Sequence, residues 1–283
     1  MKGKLVKHYG WIPDMPDRRD FMYAAPIAVL RVLPPRKNLA GQCPPVYDQG
    51  LLGSCTANAI GAAHQFEQMK QNAKAAFAPS RLFIYYNERL MEGTVNEDAG
   101  ATIRDGIKSV VKQGVCPETL PAGRPGQWPY VAGRFATKPP KPCYAEAMRH
   151  QVVSYRRLTP NLNQMKGCLA SGYPFVFGFS VYESFESSAV ARTGKAPMPG
   201  SGESLIGGHA VMAVGYSDAN QCFVVRNSWG ARWGRKGYCL MPYAYLADPD
   251  LAADFWTIRM VEEDDLSPIS TARAKRKSAK IRA

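Results

Sequence analysis

A thiol and an imidazole held together can make a nucleophile, and this chain offers few of either. Cys55 stands in QGLLGSCTANA, residues 49–59, between a glycine-rich turn at Gly50 and Gly53 and an alanine-rich run. Apolar residues at Ala59, Ile60, Ala63, Phe66 and Met69 approximate one buried face of a helix over residues 56–70. Cys55 therefore falls at a helix start, where unpaired N–H groups and the positive end of the dipole favour a thiolate, the nucleophilic form. A small buried thiol packing a helix end is the alternative that this stretch alone leaves open.

The chain has four histidines in which to seek a base. His64 lies on the same helix as Cys55 but nine residues on, which at 100° per residue turns it to the opposite side. His8 lies in the proline-containing N-terminal segment and His150 among charged residues, places that suit solvated or structural rings. His209 differs, because it follows Gly207 and Gly208 and opens an apolar strand, so the ring stands at the mouth of a buried element with close access to its backbone. A third group can orient it. NSWGARWG, from Asn227 to Gly234, follows the strand CFVVR, and a side-chain amide at a strand end can accept a hydrogen bond from an imidazole N–H and fix its tautomer. Trp229 and Trp233 can shield that bond from water. Cysteine on a helix start, then histidine, then asparagine, on three elements in that order, is a far rarer conjunction than any one of them.

The elements that must hold these residues divide by texture. Residues 1–40 are proline-rich and charged, which predicts an extended arm; Trp11, Ile12, Phe21, Met22 and Tyr23 predict that it lies against the body. Residues 41–150 read as mainly helical, with further helices over about 80–91 and 102–113 closed by Gly93 and Gly114, then a proline-rich stretch from Pro117 to Pro142. Residues 151–265 read as mainly strand: 152–158, 175–181, 210–216, 222–228, 237–243 and 255–261, with a short helix over 163–171 and a polar loop over 187–208. The expectation is an α+β chain, a helical lobe followed by an antiparallel lobe.

With 283 residues, 46% of them hydrophobic, there is material for a full core, and a disordered or fibrous chain is excluded. The net charge of +13 invites thoughts of nucleic acid. Nearly half of the excess is local, however: Arg273, Lys275, Arg276, Lys277, Lys280 and Arg282, without one acid, make residues 266–283 read as a basic, disordered tail. No aromatic-rich basic platform accompanies it, so nucleic acid is not an expected partner. Seven cysteines without a CxxC pair argue against zinc, and no metal or cofactor is expected. Besides Cys55, six cysteines (Cys43, Cys116, Cys143, Cys168, Cys222 and Cys239) could form up to three disulfides, and spacing does not choose among the pairings. The first residues lack the apolar run of a conventional signal peptide, and no later stretch reaches the roughly 18 apolar residues of a membrane span. A soluble protein is expected, cytoplasmic or exported without such a signal and favouring the monomer.

Three ordered motifs resemble those of the papain-like cysteine peptidases, and of their bacterial branch in particular. The nucleophile motif Gln-Gly-x-Cys-Gly-Ser-Cys-Trp stands here as Gln49 through Thr56; the histidine motif matches Gly208, His209, Ala210 and then Val214, Gly215, Tyr216; the asparagine motif matches Asn227 through Gly234 with Gly237 and Tyr238. The resemblance covers roughly residues 41–262. It implies a papain-like fold, with a helical lobe and a β-barrel-like lobe flanking a cleft. It also implies Cys55 as nucleophile, His209 as general base and acid, Asn227 orienting the imidazole under Trp229, and Gln49 with the Cys55 N–H as oxyanion hole. Gly100 and Ala101 fall where the family holds an extended polypeptide substrate by backbone hydrogen bonds. The implied activity is thiol-dependent endopeptidase; transferase or deamidase relatives use the same triad, and inactive papain-fold binding proteins commonly lose the nucleophile. Leu52 and Thr56 depart from the pattern, where the family has a cysteine and a tryptophan, as does Gly208 where some members have aspartate. The arm is shorter than the usual family propeptide and can be a rudimentary propeptide, a strap across the cleft, or part of the lobe packing.

Overall fold

The computed structural model describes residues 9–262 apart from 73, 75 and 123; His8 and the basic tail lie outside the described residues. In chain order the elements of the first half are β1 (Trp11–Ile12), α1 (Ile27–Arg31), β2 (Arg36–Asn38), α2 (Cys55–Asn72), α3 (Arg81–Glu92), β3 (Ala101–Thr102), α4 (Ile103–Lys112) and α5 (Lys141–Ala147). The second half follows as β4 (Val152–Arg157), α6 (Leu162–Ala170), β5 (Phe175–Tyr182), α7 (Ser188–Thr193), β6 (Leu205–Ser217), β7 (Cys222–Arg226), β8 (Tyr238–Pro242), α8 (Tyr243–Ala247) and β9 (Ala252–Val261).

Seven strands form one antiparallel sheet in the order β4-β9-β5-β6-β7-β8, with β2 paired to β6. β4 and β8 end this path, so among the described residues the sheet is open rather than a closed barrel. β6 is its spine: β5 covers its first two-thirds, from Leu205 to Ala213, and β2 takes over the same edge at Gly215 to Ser217. Phenylalanines dominate the core here, with Phe177 stacked on Phe255 at 5.6 Å and Phe175 edge-on to Phe223 at 6.0 Å.

The helix that begins at Cys55 is buried nearly all round rather than along one face, every residue from Cys55 to His64 being inside. Its alanines and Gly61 make this possible, since small residues let neighbouring chain approach from several directions; a Cβ at Gly61 would already touch Arg81 Cγ at 3.5 Å and Ile84 Cδ1 at 3.7 Å, both of α3. The helices beside it have ordinary stops. Ser80 Oγ accepts the Phe83 N–H at the start of α3, and Gly93, at φ 76°, ends it. The polar loop expected over 187–208 contains α7, capped by Ser187, and the start of β6. All seven cysteines are free thiols.

Candidate active site

Two backbone segments bring the motifs together. Gln49 N–H donates to Ser228 O at 2.9 Å and Gly230 N–H to Tyr47 O at 2.9 Å, so the chain before Cys55 runs antiparallel to the chain after Asn227. The start of α2 is thereby set against β6 and the end of β7.

β6 presents His209 fully buried. Its Nε2 donates to Asn227 Oδ1 at 2.8 Å. The same oxygen accepts the Ser228 N–H at 2.8 Å, which fixes the amide's orientation, since only an oxygen can accept both. The neutral ring therefore carries its proton on Nε2 and leaves Nδ1 as a bare acceptor, buried and without a protein partner. Trp229 lies over the imidazole at 5.0 Å and 31°, and Phe179 meets it edge-on at 5.7 Å.

Cys55 opens α2 and is wholly buried. Burial pushes its thiol up to about 12, against backbone N–H groups of Ala210, Gly10 and Thr56 that point at the sulfur. The helix-start effect expected from the sequence is outweighed by desolvation. Burial also brings His209 down to about 4, with the bond to Asn227 opposing it. In this state the two groups are a neutral thiol and a neutral imidazole near pH 7.

Gln49 is held on both sides of its amide. Nε2 donates to Leu52 O at 2.9 Å and Oε1 accepts from Ser228 Oγ at 2.5 Å, leaving the second amide hydrogen for another acceptor. The Cys55 N–H, in the first turn of α2, has no intrahelical acceptor. Leu52, where the family has cysteine, thus serves Gln49 through its carbonyl. Thr56, where the family has tryptophan, donates to Glu88 Oε1 of α3 at 2.6 Å. Glu88 is fully buried, and burial holds its carboxyl well above the usual range.

Solvent does not reach this site because the arm crosses it. Gly10 lies directly against the start of α2: a Cβ placed on it would sit 1.6 Å from Gly53 O. Its carbonyl accepts the Ala101 N–H at 2.7 Å, and β1 pairs in parallel with β3, Trp11 opposite Ala101. Gly100, at φ 77°, has no room for a side chain beside the Gly10 backbone. Of the two residues expected to hold substrate backbone, Ala101 hydrogen-bonds the arm and Gly100 packs against it, its N–H given to the Tyr85 hydroxyl at 3.2 Å. Tyr9 turns its edge to His209 at 6.0 Å and bonds to Glu186, while the Trp11 indole lies over Gly178 and Gly208.

Beyond Trp11 the arm is anchored by charge. Asp14 accepts from the Arg104 N–H at 3.1 Å and from Trp256 Nε1 at 3.0 Å. Asp20 pairs with Arg104 at 2.7 Å and Arg157 at 2.9 Å, and Arg157 also pairs with Asp254 at 2.8 Å. Motif reading missed several of these supports. Ser228 stood inside a recognised motif without a role. Asp98, which accepts the Gly53 N–H at 3.0 Å and the Tyr85 hydroxyl, sits in a polar loop with no local signal. Among the described residues the other two histidines lie apart from the thiol: His64 Nε2 bonds the His150 carbonyl oxygen at 3.0 Å.

Fold and site together define a cysteine protease of the papain type. The chain belongs to the papain family of cysteine proteases, whose model matches residues 34–247. It is similar in structure to xylellain, a cysteine protease from Xylella fastidiosa, with a TM-score of 0.81 and 46% identity over 90% of this chain and 97% of that one. An uncharacterized peptidase C1-like protein of Acanthamoeba polyphaga mimivirus is 41% identical over 283 residues, 92% of this chain and 89% of its own. Digestive procathepsin L 3 of the Tenebrio molitor larval midgut, at 16% identity and TM-score 0.63 over 84% of this chain and 73% of its own, shares the fold. Among the described residues no helix is long and apolar enough to cross a membrane.

Proposed function

We propose that the chain is an endopeptidase in which Cys55 attacks a peptide carbonyl, His209 moves the proton, and Asn227 orients the imidazole. The observation that carries this reading is the buried Nδ1 of His209, left bare by the Nε2 bond to Asn227, on the residue next to the one whose N–H reaches the Cys55 sulfur. A base with its tautomer fixed and its lone pair unused is what deprotonation of a thiol requires. The second Gln49 hydrogen and the Cys55 N–H are the donors for the developing oxyanion, and His209 then protonates the leaving amine. Water hydrolyses the thioester. Gly100 and Ala101 would hold the acyl side of the substrate through their backbone.

The arm keeps this machinery idle. Because His209 protonates the leaving amine, the carboxyl-terminal part of a substrate passes His209 and Trp229, and the amino-terminal part lies along Ala101. The arm runs the other way, Tyr9 beside His209 and Trp11 beside Ala101. It fills the cleft with its peptide groups reversed, so it excludes water and substrate without itself being aligned for cleavage. Release would return solvent to the thiol and imidazole and remove the desolvation that keeps both neutral.

The test is cleavage of a peptide library by the natural chain and by Cys55→Ala, with and without an added amine. The reading expects hydrolysis that disappears in Cys55→Ala. Products carrying the amine in place of water would identify an acyltransferase, and cleavage that survives the substitution would exclude Cys55 as the nucleophile.

A further inference from the structure

Glu88 of α3 is fully buried next to the nucleophile, and the peptide chemistry makes no use of it. Its Oε1 accepts the Thr56 hydroxyl at 2.6 Å, and Thr56 follows Cys55 in the first turn of α2. Its Oε2, equally buried, has no hydrogen-bond partner. Gly106 of α4 makes the seat: a Cβ there would stand 2.6 Å from that oxygen and 2.3 Å from Ile60 Cδ1, so even a methyl group would displace the carboxyl or Ile60. The donor, Thr56, is itself a departure from the family pattern.

A carboxyl so placed keeps its proton, because a carboxylate out of water needs more than one hydroxyl to hold it. Glu92 of the same helix and Asp105 of α4 push it further in that direction, and Arg89 of α3 opposes them. The Arg89 guanidinium is committed elsewhere, to the carbonyl oxygens of Tyr85, Val95, Glu97 and Phe135. The neutral acid accepts the Thr56 hydroxyl without setting a charge beside the sulfur. Once ionised it is a like charge to a thiolate, and it raises the Cys55 thiol. The effect falls on one partner of the pair: Glu88 bears on the Cys55 sulfur, whereas burial and the Asn227 bond are what shift His209. An anion that opposes the thiolate without favouring the imidazolium moves the shared proton back to sulfur.

Resting on the peptidase reading, we propose that Glu88 is a positioning residue that acts on Cys55 through Thr56, its neutral carboxyl holding the first turn of α2 and permitting the thiolate, its carboxylate opposing the thiolate and slowing the enzyme. The buried acid is an alkaline brake on a nucleophile whose reactivity otherwise only grows as pH rises.

The experiment uses the full-length chain carrying Gly10→Ala, whose added Cβ forces the arm off the Gly53 backbone, with and without Glu88→Gln. Glutamine keeps an acceptor for the Thr56 hydroxyl but cannot ionise. Site-resolved alkylation of Cys55 by iodoacetamide is followed from about pH 5 to 9, beside kcat/KM on one blocked peptide. The Glu88→Gln chain should match its parent at the acid end and outpace it about 10-fold at the alkaline end, in both readings. Thr56→Val removes the hydroxyl that favours the carboxylate, so it should move the parent's alkaline loss to higher pH. A ratio between the Glu88→Gln chain and its parent that stays constant across the range, whatever its value, is what a purely structural glutamate gives, and it overturns the proposal. If glutamine prevents folding, Thr56→Val decides: its profile must rise above the parent's at the alkaline end, and profiles of the same shape overturn the proposal. Alkylation reads the thiolate whether or not a peptide is cut. The expected alkylation profile without any hydrolysis therefore upholds the brake while the peptidase reading fails. Should Gly10→Ala leave the arm seated, the same ratio is read from the slower alkylation of the chain with Gly10, because the arm's opening cancels from it.

Discussion

Replacing Gly10 by alanine should switch the protein on. The added methyl would stand 1.6 Å from Gly53 O, 2.4 Å from its carbonyl carbon and 2.9 Å from its Cα, all backbone atoms, so no rotamer relieves the clash. One backbone must retreat by roughly 2 Å to reach ordinary contact. That retreat breaks the 2.7 Å bond from Ala101 N–H to Gly10 O. Overpacking costs about 1–3 kcal/mol and the lost hydrogen bond about 1 kcal/mol, together about 2–4 kcal/mol against the seated arm. At 1.4 kcal/mol per tenfold, the open population should rise about 30-fold or more, until the open form dominates. The assay is the rate of alkylation of Cys55 by iodoacetamide at pH 7, site-resolved by mass spectrometry. With the thiol held up at about 12 behind the arm, the natural chain should react slowly, and Gly10→Ala should react at least about 30-fold faster with a parallel gain in peptide turnover. Trp11→Ala, which empties a different seat, should move both readings in the same direction. Unchanged alkylation in both variants, with melting temperatures like that of the natural chain, would refute the arm as the barrier.

Three further outcomes follow from side chains around the site. Ser228→Ala removes the donor to Gln49 Oε1 and frees the amide to rotate, so kcat should fall about 10-fold with KM little changed, whereas Gln49→Ala should cost about 100-fold or more. Asn227→Ala leaves His209 Nε2 without its acceptor, and a fall in kcat with an altered pH profile is expected, against intact far-ultraviolet dichroism. Glu88 carries a pH signature of stability. Its folded carboxyl lies above the ordinary 4.5, so over the range above 4.5 the folded state holds a proton that the unfolded state has lost. Stability from this group is full below that range and falls as pH rises, by up to about 1.4 kcal/mol per pH unit. Thermal melts of Glu88→Gln at pH 4 to 8 should lack that decline relative to the natural chain, and parallel profiles would refute it.

Much of this was legible because catalytic chemistry constrains residue type and order together. Cys55, His209 and Asn227 each stand beside a glycine or tryptophan pattern that sets local backbone, and strand periodicity placed β5, β7 and β9 to within a few residues. α2 was harder, since a helix buried on all sides has no polar face to betray its orientation. α7 escaped within a polar loop, six residues being too short for a periodic signal. The roles of Ser228, Asp98 and Asp254 depend on contacts between segments far apart in the chain, 179 residues in the case of Ser228 and Gln49. The arm's path was open for the same reason: proline and bulky apolar residues said that it docks, but glycines at 10, 53, 100, 178 and 208 fix where, and each is ordinary until its neighbour is known.

The central claim is that Cys55 forms a thioester once the arm is displaced. Mixing the Gly10→Ala chain with an activated ester of a blocked peptide, quenching in acid and reading the mass of each cysteine peptide tests it directly. The expected result is a single acyl adduct, on Cys55, absent from the Gly10→Ala,Cys55→Ala chain along with all hydrolysis. Hydrolysis that persists without Cys55, or an acyl group found on another residue, would contradict the claim.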